Sequence, residues 1–445
     1  MRAQATCANV TGGGRQEIHA GAGMPGAMQE RHTPLHASAL GGFIRHPATV
    51  AIVSLGLTQI ISWGTTLYAL GVLGKPIAAD TGWSQGLVFA GLTVGLLVSG
   101  AISAGVGRFL DRRGGRLTMS VGSVLNAVGL VLLAQVSDPY SYLAAWAFLG
   151  LAMRLTLYDA AFGALVQVTP SRGRRAISYL TLFGGLASTV FWPIGHALNS
   201  AYGWRTTLLV FAAINLLVCL PLHVLGLARR ETPEQAEHAR ATGNAETQYT
   251  GRPLDGSTRT VAMVLFGAVA AASAVVMGAL AVHLVPILEG SGLVAAMAVL
   301  MASFKGIAQV VGRIWDLTLA RKWHPLDVGR VSVALIPLSF AVLMLGGASF
   351  WTALAFTLLF GVSNGLVTIV RGAVPLALFG AKGYGAVLGI LATPYLLLAA
   401  LSPAAFALVV ERYGYGVGEA VMLGAGLVAF LAMEVMALWY RRRHR

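Results

Sequence analysis

Between residues 47 and 439 the chain is built of about twelve apolar runs, each near the length of a membrane crossing and separated by short polar loops. A hydrocarbon core of about 30 Å takes roughly 20 apolar residues at the helical rise. No water is present there to satisfy a loose backbone, so such runs cross as helices. The runs fall at 47–70, 84–106, 117–136, 141–166, 176–199, 204–226, 260–287, 292–318, 327–347, 351–376, 385–409 and 416–439. Only 11% of the residues are charged and 56% are hydrophobic, whereas an average soluble domain carries roughly 25% charge. The expected fold is therefore an all-α membrane protein of twelve transmembrane helices, and the lipid bilayer is its first partner.

Charge placement gives these helices a direction. The formal net charge is +14, but no basic helix is interleaved with aromatics, so no nucleic-acid partner is expected. The basic residues lie mostly in alternate loops. With both termini inside, 24 of the 31 Lys and Arg residues fall on the cytoplasmic side, and only Lys75, Arg205 and Arg412 face the other. This is the positive-inside bias. The expected location is the bacterial inner membrane, with both termini cytoplasmic.

Five segments follow. Residues 1–46 are polar, rich in Gly and Ala, and read as a disordered cytoplasmic tail. Residues 47–227 form an N-terminal six-helix bundle, and 228–259 a cytoplasmic connector of mixed charge. Residues 260–440 form the C-terminal six-helix bundle, and 441–445 a basic tail. The bundles resemble each other. Gly107 and Asp111 recur as Gly312 and Asp316, 205 residues on. Gly150 recurs as Gly361 and Tyr202-Gly203-Trp204 as Tyr413-Gly414-Tyr415, 211 residues on. Two six-helix pseudo-repeats around a central cavity are a transporter architecture.

The segment Gly107-Arg-Phe-Leu-Asp111-Arg112-Arg113-Gly114-Gly115-Arg116 lies between the second and third spans. It resembles the loop signature G-x-x-x-D-R-x-G-R-[RK] of the major facilitator superfamily, departing from it at Gly115. The resemblance implies a secondary transporter in which Gly107, Asp111, Arg112 and Arg116 form a conformational latch. Gly107 would allow close helix approach, and Asp111 would face the positive N-terminus of span eleven. Gly82-Trp83-Ser84 and Arg174-Arg175-Ala176, followed by Gly184, Gly185 and Pro193, are similar to the monocarboxylate and oxalate–formate porter branch. That branch implies a substrate-anchoring arginine in span eight, where Arg313 stands. Tyr68 occupies the place of a lysine that some members carry in span one, and Gln309 that of an acidic residue.

Charges inside spans are expensive, about 2.5–3.5 kcal/mol each on insertion scales, and so mark function. Lys305, Gln309 and Arg313 share roughly one face of span eight and form a polar stripe suited to an anion. With Tyr68 and Asn364 they are the candidate substrate-binding set. Arg154 and Asp159 in span four are coupling candidates, together with His283 and His196, whose imidazoles titrate near neutrality. At 3.6 residues per turn Arg154 and Asp159 stand about 140° apart, so each is expected to face the cavity edge or another helix rather than form a simple intrahelical pair. Gln59 is a hydrogen-bonding cavity group, Arg371 an interface residue or latch partner, and Glu434 a snorkelling residue.

No H-E-x-x-H, G-x-S-x-G or P-loop is present, so no enzyme is expected. Cys7 and Cys219 are too few for a metal site or disulfide framework, and no cofactor is expected. The expected function is proton-coupled secondary active transport of a small organic or oxyanionic solute by a monomer, through alternating access. Efflux of amphipathic or toxic compounds is the alternative within transport. A non-transporting membrane receptor is the alternative outside it.

Overall fold

A computed structural model of the chain describes residues 46–242, 253–347 and 349–443. Within them every regular element is a helix. Eight long apolar stretches cross once: α1 Pro47–Thr81, α2 Gln85–Arg113, α3 Gly115–Ala134, α4 Pro139–Val168, α7 Gly256–Gly290, α8 Ala295–Thr318, α9 Pro325–Gly346 and α10 Phe350–Phe379. Two more, Pro170–Gly226 and Tyr384–Arg443, are 57 and 60 residues long, far beyond one crossing. A glycine in the left-handed region turns the chain back in each, Gly203 at φ 77 and Gly414 at φ 81. They therefore give α5 (170–202) and α6 (204–226), then α11 (384–413) and α12 (415–443). The total is the expected twelve spans in two halves.

Helix α3 turns its apolar side outward and its small or polar side inward, as lipid rather than water demands. On α3, Val121, Val124, Val128 and Leu132 are exposed. Gly122, Ser123, Asn126 and Gly129 on the same helix are buried. The repeat is visible in the packing. A Cβ on Gly150 would strike the backbone of Gly95, so α4 lies directly on α2; one on Gly361 would strike Lys305 and Ala308, so α10 lies directly on α8. The aromatic residue after each turning glycine ties back to the first helix of its own half. The Trp204 Nε1–H donates to Asp80 at 3.0 Å, and Tyr415 packs over Gly290.

The helices outrun the apolar runs that reveal them. Helix α1 continues to Thr81 rather than residue 70, and α2 to Arg113 rather than 106. The extra turns carry Lys75, Asp80 and Arg108, because hydropathy registers only the part of a helix inside hydrocarbon. The expected tail falls outside the described residues except for His46, whose Nδ1 accepts from the Ala48 N–H at 3.2 Å and caps α1. The connector is helical over Pro233–Ala241, and its residues 243–252 are likewise outside the description, as are 348 and 444–445. Glu231 anchors its start by accepting from the Ser171 hydroxyl at 2.5 Å and the Ser171 amide at 3.2 Å.

The halves meet along α2 against α11 and along α5 against α8 and α10. These contacts gather toward the face that carries the α2–α3 loop, here termed the basic rim.

Candidate functional site

The site begins with a fault in α4. Leu157 is extended (φ −78, ψ −174), so the helix stops at Thr156 and restarts at Tyr158. The Ala160 amide, which would have served the Thr156 carbonyl, bonds Leu157 O instead at 3.1 Å. Gln59 of α1 replaces it, donating from Nε2 to Thr156 O at 2.7 Å. Its Oε1 accepts from the Trp63 indole at 3.1 Å. The indole, thus oriented, packs against Tyr158 at 5.0 Å and Tyr68 at 5.8 Å between ring centroids.

The same fault re-aims Asp159. Its carboxylate lies 3.4 Å from Arg154 Nη1, so the two do pair within α4. The expected 140° separation assumed a continuous helix, and Leu157 interrupts it. Asp159 also receives the Arg371 Nη2 on both oxygens at 3.3 Å, across the boundary between the halves. Arg154 is completed by its Nε–H donating to Ser103 at 2.5 Å. The Arg371 guanidinium stacks 3.6 Å from the Tyr395 ring centroid. Arg371 thus joins the Arg154–Asp159 pair from the opposite half.

Arg313 approaches from α8. It is 4% exposed, and its Nε and Nη1 have no hydrogen-bond partner among the described residues. The guanidinium occupies the space a Cβ on Gly185 would take, and the Tyr158 hydroxyl occupies that of Gly184. The Gly184-Gly185 pair of α5 thus makes room for both groups on consecutive residues. Tyr68 and Tyr158 lie within electrostatic reach of Arg313. Two buried arginines, Arg154 and Arg313, the half-buried Arg371 and one aspartate leave the centre with an excess of positive charge.

The remaining candidates separate. Lys305 turns to α10, its Nζ 5.3 Å from the Phe360 ring, so the stripe on α8 divides between two neighbours. Eight residues overshoot two turns by about 80°, enough to send the two cations apart. Gln309 and Asn364 are half-buried. The His283 Nε2 is 3.0 Å from the Pro403 carbonyl and its ring lies tilted against Phe406, a packing arrangement between α7 and α11. His196 is exposed. Glu434 pairs with Arg330 at 2.7 and 2.8 Å.

At the basic rim, Asp111 accepts from the Gly385 amide at 2.9 Å and the Ala386 amide at 2.7 Å, the N-terminus of α11. A Cβ on Gly107 would strike the Gly385 carbonyl. The repeat places Asp316, 2% exposed, against the start of α5, where it accepts from Arg174 at 3.0 Å and from the Ser178 hydroxyl at 2.7 Å. Arg112 and Arg116 are exposed and bond no carboxylate or carbonyl among the described residues.

Arg371, Trp63, Tyr158 and Tyr395 were not singled out as site residues from sequence. Arg371 carried a usable signal as a charge within a span, concealed because the apolar run ends at 376 whereas α10 continues to Phe379. The aromatic residues carried none, since rings are common in any core.

Twelve spans in two halves, meeting on a charged and aromatic centre, define a multi-pass membrane protein of the transporter class. The family model described as Major Facilitator Superfamily matches residues 51–345, and the chain belongs to that superfamily, whose members are transporters rather than enzymes. Among solved structures, it is similar to the human organic anion transporter MFSD10 (TETRAN), at 17% identity and TM-score 0.63, over 87% of this chain and 99% of that one. The proton:xylose symporter XylE is similar at 14% identity and TM-score 0.62, over 88% and 95%. The E. coli fucose:proton symporter FucP is similar at 13% identity and TM-score 0.60, over 88% and 98%. At such low identity these likenesses show the fold alone. No curated protein matches in sequence.

Proposed function

We propose that the chain is a secondary active transporter for a small anionic solute, working by alternating access. One observation carries this reading: Arg313, buried where the halves meet, has two guanidinium nitrogens without a partner. A buried cation without a counter-ion is unfavourable by several kcal/mol, and a carboxylate or other oxyanion offers its planar fork two oxygens. The neighbouring Arg154 and Arg371 share a single carboxylate, Asp159, which strengthens the preference for an anion. The resemblance of Gly82-Trp83-Ser84 and of the α5 segment to monocarboxylate and oxalate–formate porters agrees with it.

In this reading the basic rim is cytoplasmic and closed, held by Asp111 on α11 and Asp316 on α5. Asp159 is the coupling group. Protonation would release Arg371, the arginine it holds from the opposite half. The two halves, 47–227 and 260–440, rock about the centre, and a monomer suffices in the inner membrane.

The test is uptake into proteoliposomes under an imposed proton gradient, across a panel of carboxylates, other oxyanions and neutral solutes. The expected result is gradient-driven uptake of an anion, abolished by Arg313→Ala and partly kept by Arg313→Lys. Undiminished uptake by the alanine variant removes Arg313 from the site. Transport confined to neutral or cationic solutes overturns the anionic reading.

A further inference from the structure

The rings around Arg313 point to the body of the solute as well as its charge. Tyr68, Trp63 and Tyr158 form a contiguous series, and Phe162 stacks on Tyr158 at 5.3 Å with planes 13° apart. Tyr158 is buried, whereas Trp63 and Tyr68 are half-buried and keep free ring surface. The indole is held in orientation by Gln59, itself fixed to the carbonyl that the α4 fault leaves over. A ring fixed in this way is pre-organised and loses little freedom on binding.

The charge lies next to these rings. The Tyr158 hydroxyl and the Arg313 guanidinium rest on Gly184 and Gly185, whose Cα atoms stand about 3.8 Å apart. An oxyanion on Arg313 therefore has its attached body beside Trp63 and Tyr68. Across the centre, Tyr395 lies under Arg371, so further aromatic surface borders the same cations. A saturated body gains only burial there, whereas a flat π-system also stacks, a difference of about three- to tenfold in affinity. Cationic aromatics are excluded by the arginines.

Resting on the anionic reading above, we propose that the transported solute is an aromatic or similarly planar, conjugated carboxylate, with its carboxylate on Arg313 and its ring on Trp63 and Tyr68. The test is calorimetric binding to the purified full chain, with benzoate, cyclohexanecarboxylate and benzyl alcohol as probes. Benzoate and cyclohexanecarboxylate share charge and approximate size but differ in flatness; benzyl alcohol keeps the ring without the charge. The expected order is benzoate about three- to tenfold tighter than cyclohexanecarboxylate, with no binding of benzyl alcohol. Trp63→Leu should bring the ratio of the two acids to about one, and Trp63→Phe should restore it. Should the leucine variant fail to fold, the native ratio and the phenylalanine variant still decide. Equal binding of both acids by the native chain overturns the aromatic reading and leaves the anionic one standing. Benzyl alcohol binding without either acid, or no binding of any probe, overturns both.

Discussion

Asp159 has two claimants, Arg154 within its own helix and Arg371 from the opposite half. Removing the charge leaves two cations, the buried Arg154 and the half-buried Arg371, facing each other, whereas removing Arg371 leaves a satisfied pair. Breaking a buried pair from one side costs about 3–5 kcal/mol. Asp159→Asn should therefore lower the thermal midpoint in detergent strongly, and Arg371→Gln less so. Combining them should recover part of the loss, with a coupling of about 0.5–3 kcal/mol in the double-mutant cycle. Additive losses would show that the two side chains do not interact in solution. At this scale the sequence was half legible. Charges inside spans announce themselves, so Arg154, Asp159 and Arg313 could be listed from sequence. Their partners could not, because Arg371 lies 212 residues from Asp159 and the Arg154 pairing depends on a helix fault.

That fault is the element that shapes the centre, and nothing in Leu155-Thr156-Leu157-Tyr158 announces it. Glycine and proline are the usual breakers, and the turns at Gly203 and Gly414 each use a glycine. At Leu157 the break is maintained from another helix, through Gln59. Gln59→Leu keeps the volume but leaves the Thr156 carbonyl orphaned, an expected loss of about 1–3 kcal/mol, and frees the Trp63 indole. Thermal unfolding should report the first effect, and a red-shifted, less structured indole emission the second. An unchanged midpoint would mean that α4 heals into a continuous helix. A second element effect is titratable. Asp138 caps α4 by accepting from the Ser141 amide at 3.0 Å. The Ser141 amide and hydroxyl hold its carboxyl below the ordinary carboxylate range. The cap's contribution is therefore present above the ordinary value and is lost as pH falls through the lowered one. Asp138→Asn cannot titrate, so acidification from about pH 7 to about pH 3 should lower its midpoint less than the native chain's. Equal drops would assign the acid sensitivity elsewhere.

Over the whole molecule, the repeat gives two closures of different construction at one rim. Asp111 grips the amide end of α11, and Asp316 grips Arg174 and Ser178 on α5. The first was legible as a loop signature whose resemblance implied α11 as partner. The second was visible only as a copy at constant offset, since its partners sit in the other half with no motif to mark them. A carboxylate at a helix N-terminus contributes about 0.3–1 kcal/mol, and up to ~2 kcal/mol when partly buried. Asp316→Asn removes an ion pair but leaves Arg174 its bonds to the Trp323 and Ala320 carbonyls, so its loss should be of similar size. Each asparagine should then shift the balance between closed and open rims by up to about thirtyfold, and the pair by the product if the sites act independently. Ala104 offers the readout, because its Cα packs against Gly389 where α2 meets α11 and it is half-buried while the rim is closed. With Cys7 and Cys219 replaced by serine, Ala104→Cys should react with an impermeant thiol reagent from the rim side slowly in the native background. The rate should rise several-fold in Asp111→Asn or Asp316→Asn, and most in the double variant. Equal rates in all four backgrounds would mean that neither aspartate holds the halves together. A rise in one alone would mean that a single closure carries the gate and that the repeat preserves the second only for packing.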